Sequence, residues 1–329
     1  MKFFTAKEPS MELSRLSPQQ GPDFLVRHFH EQFIQPLQEY SSQGCKKIRT
    51  RLVQLGTTFG NPEMSTVSAV EGFCQAIELL HSGTLIIDDI QDGSLTRRGR
   101  ASLHIEMGLA RALNLGSWLL SASQKMVEVS VENSRHRERL LLLLRDTLYW
   151  GHLGQSLDLA IDIREVDRAR VSEVIFQSHR FKTASVTALS VAGGAILAGA
   201  DLATEDQAFA LGERVGLLLQ KLDDLKNLRW DRTTPEKRFE DLRQHRPSYV
   251  WAWASRSENI YENLVASVNA FPDETQLLVW LKETQIFELA LAELREEMKE
   301  IEFSLHSSQK KMAHEMFEQL LAAVEGTQG

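Results

Sequence analysis

The chain has 329 residues, of which 43% are hydrophobic and 25% are charged, a composition typical of a globular protein with a sizeable core. A net charge of -8 and the lack of a basic run argue against a nucleic-acid partner, which needs a basic protein surface for its phosphates. Cys45 and Cys74 lack metal or redox spacing, and no N-terminal apolar stretch is long enough for a secretory signal. We therefore expect a cytoplasmic protein.

The spacing of prolines and apolar residues predicts helices. No proline occurs between Pro62 and Pro235, so long helices can run uninterrupted through this stretch. Apolar residues recur there at helical spacing, as in Val70–Leu80, whereas the alternating pattern of strands is missing. We predict an all-α fold in which residues 1–329 form a single domain, with a core over about 33–300 and peripheral ends.

Residues 183–200 have no charged side chain, so their length alone would permit a membrane span. However, the segment contains three Gly, two Ser and two Thr, and large apolar residues are few. We predict a helix packed in the protein interior and no transmembrane segment.

The strongest local signal is Asp88-Asp89-Ile90-Gln91-Asp92, which follows a run of apolar residues at 85–87. On a helix, Asp88 and Asp92 lie one turn apart on the same face, with Asp89 beside them. Carboxylates crowded in apolar surroundings are costly unless cations intervene, and hard oxygen ligands suit Mg²⁺. The alternative is a solvated helix face without a ligand.

A second acidic cluster, Asp223-Asp224-Leu225-Lys226-Asn227, follows an apolar run that ends at Leu219. Here Asn227 supplies a neutral oxygen where the first cluster has its last carboxylate. Two such clusters on separate buried helices suggest opposing walls that hold metal between them. The second cluster therefore weakens the solvated-face alternative.

Several basic residues are candidates for binding phosphate oxygens. Arginine forks match the oxygens of a diphosphate, and lysine contributes a point charge. Each of these residues alone is typical of a surface charge, so only their combination with the acidic clusters points to a diphosphate site. The candidates are Lys46, Lys47, Arg49, Arg97, Arg98 and Lys182, with His81 on the same helix face as Asp88.

This pattern resembles the trans-type isoprenyl diphosphate synthases, and most closely the eukaryotic-type geranylgeranyl diphosphate synthases, from about residue 33 to about residue 300. HSGTLIIDDIQDGSLTRRG (81–99) is similar to the first aspartate-rich region of that family, including its arginine pair. VGLLLQKLDDLKNL (215–228) is similar to the second region, which ends in Asn in this subgroup. The resemblance implies the helical isoprenoid synthase bundle with a central cavity, and condensation of isopentenyl diphosphate with an allylic diphosphate.

The resemblance also implies a role for each matching residue. Magnesium, about three ions per active site, would be bound by Asp88, Asp92 and Asp223. The catalytic set would comprise these three with Asp89, Asp224 and Lys182, and Asn227 would lie near the metal shell. Isopentenyl diphosphate would be bound by Lys46, Arg49, His81 and Arg98. The allylic diphosphate and its cavity would involve Arg97, Lys182, Thr183, Gln155, Gln220, Lys237 and Arg246.

One segment departs from the family pattern. The family usually has Gly-Lys-x-Ser/Thr after the second cluster, and here the segment reads His245, Arg246, Pro247 and Ser248. Arg246 keeps the positive charge but is not equivalent to lysine as a point donor. His245 adds bulk where glycine is usual and requires a backbone adjustment. The departure concerns loop closure and allylic substrate preference more than the reaction class.

In this family, product length depends on an apolar tunnel that runs along the helix from Asp88. Gly83 and Thr84, five and four residues before Asp88, are not aromatic plugs, so we expect elongation beyond farnesyl diphosphate. Trp118 and His152 match positions of the tunnel floor. The resemblance implies geranylgeranyl diphosphate as the product, made from dimethylallyl, geranyl or farnesyl diphosphate, with a longer product as the alternative.

Two other functions fit part of the pattern. A terpene cyclase also has two metal-binding motifs, but Lys46, Arg49 and His81 would then have no second diphosphate to bind. A non-catalytic subunit of a heteromeric synthase would account for the altered His245–Arg246 segment, but not for the intact acidic clusters. The resemblance also implies a homodimer.

Overall fold

A computed structural model of the chain describes residue 16 and residues 22–41, 48–97, 99–229 and 238–326. Regular structure in these ranges is almost entirely helical, which confirms the predicted all-α fold. The chain divides into two compact units, residues 1–144 with 193–202 and residues 145–192 with 203–329. This division does not test the single domain inferred from the sequence, which stays a prediction.

The described N-terminal part of the first unit forms six helices and the first part of a seventh. They are α1 (Asp23–Phe29), α2 (Gln35–Ser41), α3 (Ile48–Thr57), α4 (Val67–Gln91), α5 (Leu103–Glu106), α6 (Leu109–Ser130) and the start of α7 (Ser134–Ala160). A π-helical turn, His30–Ile34, joins α1 to α2, and a 3-10 turn, Pro62–Met64, precedes α4. The short strands β1 (Thr96–Arg97) and β2 (Arg100–Ala101) pair antiparallel just after α4.

The second unit contains the rest of α7 and most of the C-terminal half of the chain. Its helices are α8 (Arg168–His179), α9 (Ser185–Leu197, shared with the first unit), α10 (Leu202–Lys226), α11 (Glu240–Arg243), α12 (Tyr249–Ala254), α13 (Glu258–Asn269), α14 (Thr275–Thr284), α15 (Ile286–Phe303) and α16 (Ser307–Glu325). A 3-10 turn, Ile163–Glu165, precedes α8, and a π-helical turn, Arg180–Ala184, joins α8 to α9.

Helix α4 and helix α6 pack closely because glycines face each other at their crossing. A Cβ atom at Gly83 would lie 2.8 Å from the carbonyl oxygen of Gly116 and 3.0 Å from Leu119 Cβ. The N-terminus of α4 is fixed by Thr66, whose hydroxyl accepts a hydrogen bond of 3.2 Å from the amide of Ala69. A capped helix of 25 residues thus places the first acidic cluster at its far end.

The uncharged segment 183–200 forms a packed helix, as predicted. Most of its residues are buried, and its glycines allow close contact within the first unit. A Cβ atom at Gly193 would lie 2.2 Å from the ring of Phe73, and one at Gly194 would lie 2.1 Å from the carbonyl oxygen of Val53. None of the helices in the described ranges combines the length and apolar character that a membrane crossing requires.

Candidate functional site

The first acidic cluster lies at the C-terminal end of α4. Asp88 and Asp89 belong to the last turn, and Asp92 is the C-cap, with its amide donating to the carbonyl of Asp88 at 2.9 Å. The two neighbours differ in exposure: the Asp88 side chain is 19% exposed, whereas that of Asp89 is 2% exposed. Asp88 is therefore the accessible carboxylate of the pair.

Arg97 on β1 binds the buried member of the cluster. Its Nε donates to Asp89 Oδ1 at 2.8 Å, its Nη2 contacts the same oxygen, and Nη2 lies 3.7 Å from Asp88 Oδ2. The second carboxylate oxygen, Asp89 Oδ2, is buried without a hydrogen-bond partner among the residues that the structure describes. The structure thus assigns Arg97, predicted to bind the allylic diphosphate, a carboxylate partner within the first cluster.

The second acidic cluster lies at the C-terminal end of α10 in the second unit. Asp223 is exposed, whereas the side chain of Asp224 is 3% exposed. Asp224 accepts hydrogen bonds from the backbone amide of Tyr249 at 2.6 Å and from Gln220 Nε2 at 2.8 Å. Its Oδ2 also lies 3.4 Å from Nε2 of His179. Asp224 therefore anchors the start of α12 to α10.

The position of each cluster at a helix end favours cation binding. A helix carries about half a negative charge at its C-terminus, so added carboxylates there raise the local negative potential. The described ranges contain no group of three or more His, Cys, Asp and Glu side chains arranged to hold a metal by themselves. Mg²⁺ does not require one, because it typically binds through one or two carboxylates together with water and substrate phosphates. Accessible hard oxygens at Asp88 and Asp223, and the buried oxygen of Asp89, fit that ion.

Two cations in the second unit converge on one carboxylate, that of Asp158. Lys182 Nζ lies 2.6 Å and Arg246 Nη1 lies 3.1 Å from the same oxygen, Asp158 Oδ2. All three side chains are mostly buried, with exposures of 29% for Lys182, 15% for Arg246 and 10% for Asp158. The structure therefore brings together two predicted diphosphate ligands that are distant in sequence.

The π-helical turn Arg180–Ala184 positions Lys182 and Thr183 in this cluster. Thr183 Oγ1 hydrogen-bonds to Gln220 Oε1 at 2.6 Å, and Gln220 in turn binds Asp224. Gly154 on α7 makes room for the turn, since a Cβ atom there would lie 2.3 Å from the amide nitrogen of Lys182. Lys182 and Thr183 thus lie in a π-helical turn between α8 and α9.

Asn227, predicted to lie near the metal shell, makes a different contact. Its Nδ2 donates to Asp241 Oδ2 at 3.0 Å, and Asp241 belongs to α11. Burial, followed by the nearby Asp224 carboxylate, raises the pKa of Asp241, and burial likewise raises the pKa of Asp224. An amide donor at residue 227 lowers the cost of this buried acidic group, whereas a carboxylate there would raise it.

His245 takes up the backbone adjustment that its sequence position requires. Its φ is 54°, in the left-handed region that glycine adopts without strain. The segment therefore keeps a conformation typical of glycine despite the larger residue. Its neighbour Arg246 is fixed by its own amide, which donates to the carbonyl of Asp241 at 2.9 Å.

For several predicted residues the structure gives a position that leaves their role a prediction. Arg49 on α3, His81 on α4 and Gln155 on α7 are half-buried. Lys46, Lys47, Arg98 and Lys237 lie outside the described residues. The two clusters belong to different compact units, so a metal shared between them stays a prediction.

The predicted chain-length residues are distributed over both compact units. Trp118 on α6 packs against Phe33 and Phe29, with ring centroids 4.9 and 5.5 Å apart, and these three rings form an aromatic cluster in the first unit. His152 is exposed on α7, in the second unit, and its role in chain length stays a prediction. Gly83 packs closely against α6. The hydroxyl of Thr84 donates to the carbonyl of His81 at 2.9 Å.

Three residues in or near the second acidic cluster and the Lys182–Asp158–Arg246 group were not predicted from the sequence. Asp158 ends the GQSLD segment in which only Gln155 was singled out, His179 precedes the Lys182 turn, and Asp241 precedes the altered loop. Burial lowers the pKa of His179 to about 4, so the ring is neutral at neutral pH. An acid three residues after Gln155 on a helix is a detectable signal for Asp158, whereas His179 and Asp241 gain their roles only through distant partners.

The chain is similar in sequence to known prenyl diphosphate synthases. A probable mitochondrial hexaprenyl pyrophosphate synthase of Neurospora crassa is 33% identical over 151 residues, covering 45% of this chain and 33% of the relative. Geranylgeranyl pyrophosphate synthase 2 of Zymoseptoria tritici is 24% identical over 223 residues, covering 68% of this chain and 64% of the relative. The chain thus aligns with a third to just under two thirds of the length of these relatives.

A solved structure shares the fold across most of both chains. The geranylgeranyl pyrophosphate synthase of Corynebacterium glutamicum, complexed with isoprenyl diphosphate and magnesium, aligns with a TM-score of 0.72 at 19% identity, covering 88% of this chain and 91% of that chain. The model of the polyprenyl synthetase family matches residues 30–277, which include both acidic clusters and the Asp158, Lys182 and Arg246 site. By this match over three quarters of its length, the chain belongs to the polyprenyl synthetase family.

Proposed function

We propose that the protein is a prenyltransferase that condenses isopentenyl diphosphate with dimethylallyl, geranyl or farnesyl diphosphate into a longer all-trans prenyl diphosphate. The observation that carries this proposal is the convergence of Lys182 and Arg246 on the single carboxylate of Asp158. The triad of Lys182, Arg246 and Asp158 itself carries a net positive charge at a mostly buried place, near the acids Asp224 and Asp241. Such a site suits an anionic ligand, and in this family the ligand is an allylic diphosphate.

The side chains of this site match the needs of a diphosphate. An ammonium has three donors and a guanidinium five, so each group can bind more than one acceptor. Fixed positive charge at this place stabilises the negative charge that develops on the leaving diphosphate as the carbon–oxygen bond breaks. We assign Lys182 and Arg246 to that task, with Thr183 and Gln220 fixing the turn that carries Lys182.

Magnesium completes the proposed chemistry. When bound by Asp88, Asp92 and Asp223, about three ions per active site would neutralise the diphosphate and polarise its bond to carbon. The allylic cation is then attacked by the double bond of isopentenyl diphosphate, which Arg49 and His81 hold together with Lys46 and Arg98. A new carbon–carbon bond forms, and the proton lost from the former isopentenyl unit passes to the departing diphosphate. Asp89 and Asp224 fix the backbone around the accessible aspartates.

We propose geranylgeranyl diphosphate as the main product. The aromatic cluster of Trp118, Phe33 and Phe29 places a bulky apolar group beside α6, where Trp118 is two residues after Gly116 of the Gly83–Gly116 crossing. Trp118→Ala is expected to lengthen the product, because it removes the largest ring of that cluster. Chain-length chromatography of the products checks this, with Phe303→Ala, an exposed aromatic residue on α15, as the control. An unchanged product from Trp118→Ala would remove Trp118 as the floor.

The decisive assay incubates purified protein with Mg²⁺, isopentenyl diphosphate and each allylic diphosphate in turn, followed by product analysis. A prenyl synthase yields longer prenyl diphosphates and consumes isopentenyl diphosphate. A terpene cyclase yields a hydrocarbon or alcohol from the allylic substrate alone. A non-catalytic subunit yields neither product, and that result would overturn the proposed function.

We also propose a homodimer and a cytoplasmic location. The dimer is supported by exposed aromatic side chains on α7, where Tyr149 is 68% and Trp150 is 43% exposed. Sedimentation velocity tests it, and Tyr149→Glu should shift the protein toward the monomer.

The location needs a direct test by fractionation, because the Neurospora crassa relative is named as mitochondrial.

A further inference from the structure

His245 holds a conformation that its side chain disfavours. Its φ of 54° is shared by few non-glycine residues in the described ranges, the others being Phe239 and Gln285. A left-handed backbone costs most residues about 1–2 kcal/mol, because Cβ crowds the following carbonyl oxygen. Such a conformation persists when its surroundings fix it. The contacts of His245 therefore indicate the role of this left-handed conformation.

The backbone of His245 is hydrogen-bonded to the segment between α7 and α8, and its ring lies close to the same segment. The amide of Ile163 donates to the carbonyl of His245 at 2.9 Å. Ring Nδ1 lies 3.5 Å from Asp162 Oδ2, and Asp162 is itself fixed by Arg164 through bonds of 3.0 and 2.6 Å. Partial burial and the charge of Arg164 lower the pKa of His245, so the ring meets Asp162 as a neutral group at neutral pH.

The next residue in the chain contacts the acid one turn earlier. Arg246 reaches Asp158, and Asp158 also binds Lys182. Two adjacent loop residues thus contact two acids spaced by four residues, Asp158 and Asp162. Because consecutive side chains share one short backbone segment, the attachment of His245 fixes where the guanidinium of Arg246 can lie.

We propose that His245 is a positioning residue: its attachment to Asp162 and Ile163 holds Arg246 beside Lys182 for recognition of the allylic diphosphate. This inference rests on the proposed function and adds a residue to it. Glycine gives the loop the required φ without strain but has no ring to bind Asp162. Histidine at this position thus lacks the conformational freedom of glycine but has a ring that contacts Asp162.

The test compares wild type, His245→Gly, Arg246→Ala and the double variant. Glycine accepts a φ of 54° without strain, so His245→Gly should fold and its urea midpoint should not fall. Its KM for the allylic diphosphate should rise by about 5- to 30-fold, the effect of one displaced charged contact. The KM for isopentenyl diphosphate should stay within about twofold. On the Arg246→Ala background, His245→Gly should have no further effect.

Gln285→Gly is the matched control, since it removes a side chain from another left-handed residue without touching this loop. It should leave both KM values unchanged. An unchanged allylic KM in His245→Gly would overturn the inference, and so would an equal rise on both backgrounds, because His245 would then act independently of Arg246. Affinity for inorganic pyrophosphate is measured in the same proteins. A wild type that binds pyrophosphate but condenses nothing removes the proposed function, and the pyrophosphate affinities then decide the role of His245.

Discussion

The two acidic clusters have the same pair of adjacent aspartates and hold the buried member of each pair in different ways. At the end of α4, Asp89 binds the guanidinium of Arg97. At the end of α10, Asp224 binds the amide of Tyr249 and the side-chain amide of Gln220. One buried carboxylate is thus paired with a positive charge, and the other is held by neutral donors.

The comparison shows that two adjacent aspartates on a helix do different work. Successive side chains project about 100° apart, so one of the pair faces outward when the other faces the core. Asp88 and Asp223 are the accessible members, and they are the better candidates for metal and substrate. Asp89 and Asp224 are buried and fix the surrounding chain, which separates a catalytic effect from a structural one in each cluster.

The largest expected effect is on turnover, from the accessible aspartates. Asp88→Ala and Asp223→Ala should each lower kcat by about 10²- to 10³-fold, because charge developing on the leaving group loses its stabilisation. Far-UV circular dichroism and the melting temperature should remain close to those of the wild type. Asp146→Ala, an exposed aspartate on α7, is the control and should retain full activity. Near-normal turnover of Asp88→Ala would contradict the proposed mechanism.

The next effect is a pH dependence of stability at the second cluster. The pKa of His179 falls from 6.5 to about 4 on folding, so between these values the unfolded chain binds more protons than the folded one. His179 should therefore contribute a loss of stability as the pH falls through this window, by up to about 3 kcal/mol at pH 4, whereas the raised pKa values of Asp224 and Asp241 contribute with the opposite sign. Urea unfolding of the wild type and of His179→Gln at several pH values isolates the His179 contribution as the difference between the two slopes. Equal slopes in the two proteins would exclude that contribution.

A smaller effect separates the roles of charge and hydrogen bonding at Asp224. Asp224→Ala leaves the buried amide of Tyr249 without its acceptor and should lower the free energy of unfolding by about 1–3 kcal/mol. Asp224→Asn keeps an acceptor oxygen and should cost less, since the carboxylate is held by neutral donors. Equal losses in the two variants would show that one amide oxygen cannot replace the two carboxylate oxygens that bind Tyr249 and Gln220.

The smallest effect is expected at Arg97. Arg97→Lys keeps the positive charge but removes the paired Nε and Nη2 contacts to Asp89. The side chain of Arg97 is 21% exposed, so solvent screens part of the interaction and the loss of stability should be about 1 kcal/mol or less. Thermal unfolding measures it against Arg145→Lys, an exposed arginine on α7. A loss larger than that of Asp224→Ala would reverse the ranking of the two anchors.

The sequence by itself determined the helical fold and the two acidic clusters. Both depend on short-range spacing, since a helix and a pair of aspartates on it are specified within a few turns. The same holds for the interior position of residues 183–200, which follows from their small, uncharged side chains.

Only the tertiary structure decided which side chains work together. Lys182 is 24 residues from Asp158 in sequence, and Arg246 is 88 residues from it, so no local pattern relates them. Packing likewise placed Gly83 against α6, left His152 exposed and gave Asn227 a carboxylate partner. The physical reason is that burial and pairing depend on which helices meet, and that choice is made by the packed chain as a whole.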